Sequence, residues 1–152
     1  MPLWRIYSHP DTFTKEQKAG LAKAITKLYT DAPVSLPAFY ANVLFIPLQE
    51  DEIWVGGESR KNFVRLTIEQ IARTMDGAET EEGRARRKWW MDKINDGLKP
   101  WIADRPELMW EHHIAEHPRD LWRVQGLDPP PSYSEAELEW TRTNKPAAWE
   151  KL

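Results

Sequence analysis

Apolar positions along the chain follow two periods. Leu3-Trp4-Arg5-Ile6-Tyr7 is rich in aromatic and β-branched side chains and predicts a short strand. From residue 14 to 30 the period lengthens: Leu21, Ile25, Leu28 and Tyr29 share one face of a helix. Thr14 with Gln17 supplies a capping box at its start. Pro33 and Pro37 break that pattern. Phe39 to Ile46 is a nearly continuous apolar run, which predicts a strand buried on both faces. Ile53-Trp54-Val55 predicts a further short strand that ends at Gly56-Gly57.

The second half repeats this order. Val64, Leu66 and Ile68 alternate with Arg65, Thr67 and Glu69 in a strand predicted over Phe63 to Ala72. A polar segment from Thr74 to Gly83 leads into a helix carrying Trp90, Met91, Ile94 and Leu98, which Pro100 closes or kinks. Leu108 to Ile114 predicts the last strand. The fold class is therefore α+β, with two tandem β-α-β units over about 1–57 and 62–126, each with a parallel crossover. Residues 127–152 form a C-terminal extension of different composition. Pro129-Pro130-Pro131 is stiff and extended, and Ser134 with Glu137 predicts a second capping box, for a short helix through Trp140. The extension lies either on its own subunit or across a neighbour with Trp140 and Trp149 as anchors. Trp4 and Trp54 are further candidates for subunit contacts.

Composition narrows the function classes. The 152 residues suit one domain, and 21 Lys+Arg against 24 Asp+Glu give a net charge of −3. A general nucleic-acid-binding surface is not expected from that balance. The absence of cysteine excludes disulfides, thiol catalysis and cysteine-ligated zinc. No apolar run approaches the ~20 residues of a membrane span, and no secretory signal pattern opens the chain, so a cytoplasmic protein without membrane partners is expected.

Three groups of residues suggest chemistry. His113-Ile114-Ala115-Glu116-His117 matches the H-x-x-E-H pattern of zinc peptidases, which requires a helix. Here the stretch reads as a strand followed by Pro118, and residues four apart on a strand stand roughly 13 Å from each other. No metal site is expected. Arg73, Arg84, Arg86, Arg87 and Lys88 form a basic group: a solvated face, or guanidinium groups able to grip a carboxylate. Pro2, once Met1 is cleaved, would offer a secondary amine at the start of a buried strand. Desolvation and nearby arginines both lower an amine's proton affinity. A neutral amine can move a proton next to a carbonyl, or attack the carbonyl to form an iminium ion.

Taken in order, Met1-Pro2 with Tyr7, Ala22-Lys23-Ala24-Ile25-Thr26, Phe39 to Phe45, Val55-Gly56-Gly57, Arg73, Glu82-Gly83-Arg84 and the Pro118 to Gly126 spacing resemble the tautomerase superfamily. The likeness is greatest to its cis-3-chloroacrylic acid dehalogenase-like group and spans residues 1 to about 126. The resemblance implies an oxalocrotonate tautomerase/MIF-like fold over 1–126, assembled as a homotrimer, with no cofactor. It implies Pro2 as catalytic acid or base, Arg73 and Arg84 as the clamp on a small substrate carboxylate, and an aromatic residue at His113, or at His112 one position earlier. Two positions depart from the group. Its helix histidine is Tyr29 here, which keeps a hydrogen-bond donor without a charge. Its water-activating glutamate is Val124, beside Gln125, which disfavours hydrolytic dehalogenation. The expected activity is proton transfer on small 2-oxo or unsaturated acids, with Tyr29 and His113 orienting the oxygen. A decarboxylase, a weak cis-3-haloacrylate dehalogenase or hydratase, and a non-catalytic trimeric binding protein are the alternatives.

Overall fold

The computed structural model describes residues 1–75 and 77–149. Among the described residues six strands and three α-helices follow one another: β1 (Leu3–Ser8), α1 (Lys15–Thr30), β2 (Asn42–Pro47), β3 (Trp54–Val55), β4 (Glu58–Ser59), β5 (Phe63–Gln70), α2 (Glu81–Leu98), β6 (Met109–Glu116) and α3 (Glu135–Thr143). β2, β1, β5 and β6 form one sheet in that order. β1 runs parallel to β2, β5 runs parallel to β6, and the two β-α-β units meet through the antiparallel β1–β5 pair.

Alternation within the strands makes one face of this sheet apolar. Trp4, Ile6, Val64, Leu66 and Ile68 are fully buried on it. Leu21, Ile25 and Leu28 from α1, and Trp90, Ile94 and Leu98 from α2, cover it as the helical periodicity requires. The opposite face carries Arg5, Arg65, Glu69, Glu111 and His113, with Arg5–Glu69 and Arg65–Glu111 ion pairs across the strands. Thr14 and Gln17 form the predicted capping box at the start of α1.

Two local expectations are corrected and two are refined. Phe39 and Tyr40 belong to a 3₁₀ turn, and β2 lies at the sheet edge with one side open, so it is half-buried, not enclosed on both faces. The short strand predicted over Ile53 to Val55 forms as β3, and it pairs with β4 in a hairpin separate from the main sheet, turned by Gly56 and Gly57 at φ 62° and 84°. The α-helical stretch does end beside Pro100, at Leu98. The chain continues through a wider π turn over Lys99–Ala103, which tolerates the missing amide hydrogen. Ser134 caps α3, but Glu137 does not complete the box, because its carboxylate is used elsewhere.

The extension lies on its own chain. Trp140 is 1% exposed and sits in an aromatic cluster with Phe39 and Tyr40, and Tyr40 in turn meets Trp122 at 4.8 Å between ring centroids. Trp149 donates from its indole nitrogen to the Asp128 carbonyl. Trp4 and Trp140 are thus core residues of one chain and not subunit contacts, while Trp54 is exposed. Among the described residues no helix is long and apolar enough to cross a membrane. If the extension is part of the core, Trp140→Ala should destabilise the chain by ~3–5 kcal/mol, read as a lower urea midpoint.

Candidate active site

The last turn of α1, the end of β5 and the first half of α2 diverge around a cavity of about 350 Å³. Pro2, Tyr29, Gln70, Arg73, Arg86 and Trp90 line it, with Tyr133 of the extension at its edge. Pro2 is buried at the entrance to β1, and its carbonyl accepts a hydrogen bond from the Asn42 amide at 2.9 Å. That bond prolongs the β1–β2 ladder by one residue and fixes where the N-terminus points.

Tyr29 follows from the apolar stripe of α1, which turns its ring inward at the helix end. Its hydroxyl accepts from Trp4 Nε1 at 2.9 Å and from Gln70 Nε2 at 3.4 Å. Burial pushes the phenol up, with these two hydrogen bonds opposing, so Tyr29 stays protonated at neutral pH. With both lone pairs engaged, its own proton is left to donate.

Beyond β5 the cavity wall becomes ionic. Arg73 makes two parallel hydrogen bonds to Glu137, at 3.0 and 2.7 Å, and its guanidinium lies 4.2 Å from the centre of the Tyr133 ring. Glu137 is 2% exposed and accepts also from the Tyr133 amide at 2.7 Å. Arg119 stands 3.7 Å from the same carboxylate and donates to the Ala72 and Pro130 carbonyls. Two guanidinium groups share one carboxylate, so the cluster keeps a net positive charge. Its effect is visible at the chain start. The Met1 amine is pulled down from 8.0 to about 4 by burial first, then by Arg119 and Arg73, with Glu137 opposing.

Pro2, Tyr29 and Arg73 are therefore brought together, whereas Arg84 and His113 are not. Arg84 donates to the Ala78 and Glu79 carbonyls on the outer side of α2. His113 faces the open side of the sheet, 3.4 Å from Arg65. His112 faces α2 and bonds Asn95 at 2.8 Å. Burial, with His113 adding, holds its imidazole below the usual range. His113, Glu116 and His117 lie on β6 and its end, and among the described residues no three His, Asp or Glu side chains gather to hold a metal. Thr74 and Met75 line the cavity, and Gly77 packs tightly on α2: a Cβ on Gly83 would fall 1.7 Å from the Gly77 carbonyl oxygen.

Arg86 belongs to the basic group read from the sequence but not to the clamp that the resemblance implies, and Arg119 and Glu137 are not among the sequence's site candidates. Arg86 could have been found from its spacing, since it shares a helical face with Trp89 and Trp90 three and four positions on. Arg84 points roughly 200° away around the same helix. Nothing local marks the Arg73–Glu137 contact, which joins residues 64 apart.

A family model described as "Putative oxalocrotonate tautomerase enzyme" matches residues 1–145. Native RhCC from Rhodococcus jostii RHA1 is 40% identical, with a TM-score of 0.87 over 97% of this chain and 99% of that one. Two more distant structures share the fold. N1, a member of the cis-3-chloroacrylic acid dehalogenase family, is 22% identical with a TM-score of 0.62, over 93% of this chain and 91% of its own. A fused 4-OT wild-type asymmetric trimer is 20% identical with a TM-score of 0.64, over 83% and 94%. No curated protein matches the chain.

The Tyr29 hydroxyl is the acceptor for a buried indole, so Tyr29→Phe should cost ~1–3 kcal/mol of stability. A drop in the midpoint of thermal unfolding checks this, and an unchanged midpoint contradicts it.

Proposed function

The chain belongs to the oxalocrotonate tautomerase family, and from that membership we propose that it is a tautomerase-type enzyme acting on small 2-oxo or unsaturated carboxylic acids, with Pro2 as general base and acid. One observation carries the proposal: Pro2 lines the same cavity as a protonated Tyr29 and the positive Arg73 cluster. Removal of Met1 turns the Pro2 nitrogen into a secondary amine. The burial and positive charge that depress the Met1 amine then act on Pro2 and keep it neutral near pH 7.

The neutral amine takes the enol hydroxyl proton of a 2-hydroxy-2-enoic acid and delivers a proton to carbon 3, leaving the 2-oxo acid and the free amine. Tyr29 donates its free proton to the substrate oxygen while negative charge collects there. The Arg73–Arg119–Glu137 cluster contributes its net positive charge at the same stage, and no cofactor is needed for this step. Val124 packs against the core at the position where the related dehalogenases carry a water-activating carboxylate, which favours proton transfer over hydrolysis.

Assembly as a homotrimer on the open sheet face is part of the proposal, supported by the exposed Leu44 and Met109 on that face. His113 can then act only on a neighbouring subunit's substrate, because it points away from the cavity of its own chain.

Pro2→Ala should lower kcat/KM for the enol of phenylpyruvate by ~10²–10⁴ with the fold intact; full activity contradicts the mechanism. The depressed amine also sets the pH dependence. A base whose proton affinity is lowered is already neutral well below its ordinary value near 8, so kcat/KM should be flat from pH 7 to 8 and fall only in acid. An acid limb centred near 8 contradicts the burial argument.

A further inference from the structure

The ionic wall raises a difficulty for a short substrate. A small acid gripped by two arginines needs a free guanidinium fork, and Arg73 has none. Both of its terminal nitrogens are held by Glu137, one also meets Ser132 at 3.0 Å, and Tyr133 covers its plane. Its remaining donor, Nε, is buried without a partner. Arg119 is committed to two backbone carbonyls. Glu137 is itself 2% exposed, so an entering carboxylate cannot displace it unless the extension moves. Arg87 is occupied as well, by the Met75 carbonyl at 2.9 Å and by Glu116.

One cavity-lining cation remains. Arg86 is exposed and makes no hydrogen bond or ion pair among the described residues. It rises from the same face of α2 as Trp89, which is 45% exposed, and Trp90. Between Arg86 and Pro2 the walls are mostly apolar: Val34, Leu36, Ile71 and Met75 face the two indoles. At about 350 Å³ the space is at the small end for organic ligands and far larger than a three-carbon acid fills.

We infer that Glu137 withdraws Arg73 from direct substrate contact and that Arg86 receives the substrate carboxylate, so that the cavity selects carboxylates bearing an aromatic or comparably bulky apolar group. Glu137 and Arg86 are then specificity-determining residues. The indoles and Tyr133 supply the area that a short acid cannot use, and a ring stacked there adds to the hydrophobic gain. This inference rests on the proposed tautomerase reading for its reaction, but its binding step is independent of Pro2.

The test is therefore a binding measurement with unreactive probes, read by quenching of cavity tryptophan fluorescence. The chain and its Pro2→Ala variant should both bind 3-phenylpropanoate at least tenfold more tightly than propanoate. Arg86→Gln, at an exposed position, should weaken 3-phenylpropanoate roughly 10–100-fold and leave 3-phenylpropanamide unchanged, as expected for loss of one charge-assisted contact. Lys88→Gln, on the same helix and paired with Asp92, should change neither. In Glu137→Gln with an unaltered circular dichroism spectrum, propanoate should gain affinity because Arg73 is released. Equal affinity for the long and short acids, or an Arg86→Gln variant that binds 3-phenylpropanoate as before, overturns the inference. Should Glu137→Gln not fold, those two comparisons decide alone. Loss of turnover in Pro2→Ala with these binding preferences intact would support both readings, and turnover that survives would sink only the mechanism.

Discussion

The ion pair between Arg73 and Glu137 holds the rest of the site in place. It joins the residue just past β5 to the first turn of α3, across 64 positions of chain. Breaking a buried pair by removing one partner typically costs about 3–5 kcal/mol, because the other charge is left unpaired. With the pair formed, Tyr133 is laid over Arg73, Trp140 reaches the Tyr40 and Phe39 rings, and the cavity gains its outer edge. The extension is thus a structural part of the fold.

The same pair sets the electrostatics of the chain start. One carboxylate between two guanidinium groups leaves a positive surplus beside a buried N-terminus. Burial and that surplus act on an amine in the same direction, and Glu137 only moderates them. A carboxylate in the place of Arg119 would reverse the surplus and favour a protonated amine. Burial first, and the choice of partners around Glu137 second, hold an amine at this end of the chain in its neutral form.

Much of the fold was legible because it rests on local periodicity. The alternation of Val64, Leu66 and Ile68, the stripe Leu21, Ile25, Leu28, and the Thr14–Gln17 box each specify an element within a few residues. Where neighbours decide, local reading failed. Phe39 to Ile46 is as apolar as a central strand, yet its place at the sheet edge leaves one side open. Ser134 and Glu137 have capping-box spacing, but a distant arginine competes successfully for the carboxylate. Within the site, Pro2 and Tyr29 are named through the resemblance, and a strand start and a helix end bring both to one cavity. The Glu82-Gly83-Arg84 motif points to Arg84 over Arg86, although helical phase turns Arg84 to the outside. Strand alternation likewise puts His113 on the sheet face away from the cavity.

All of this chemistry depends on a free amine at Pro2, and while Met1 remains attached that nitrogen is an amide with no basic lone pair. The most direct measurement is the intact mass of untagged protein from a preparation that turns over phenylpyruvate enol. The account predicts a single species lighter by one methionine residue, with Pro2 as the first residue on N-terminal sequencing. An active preparation in which every chain still carries Met1 would contradict it.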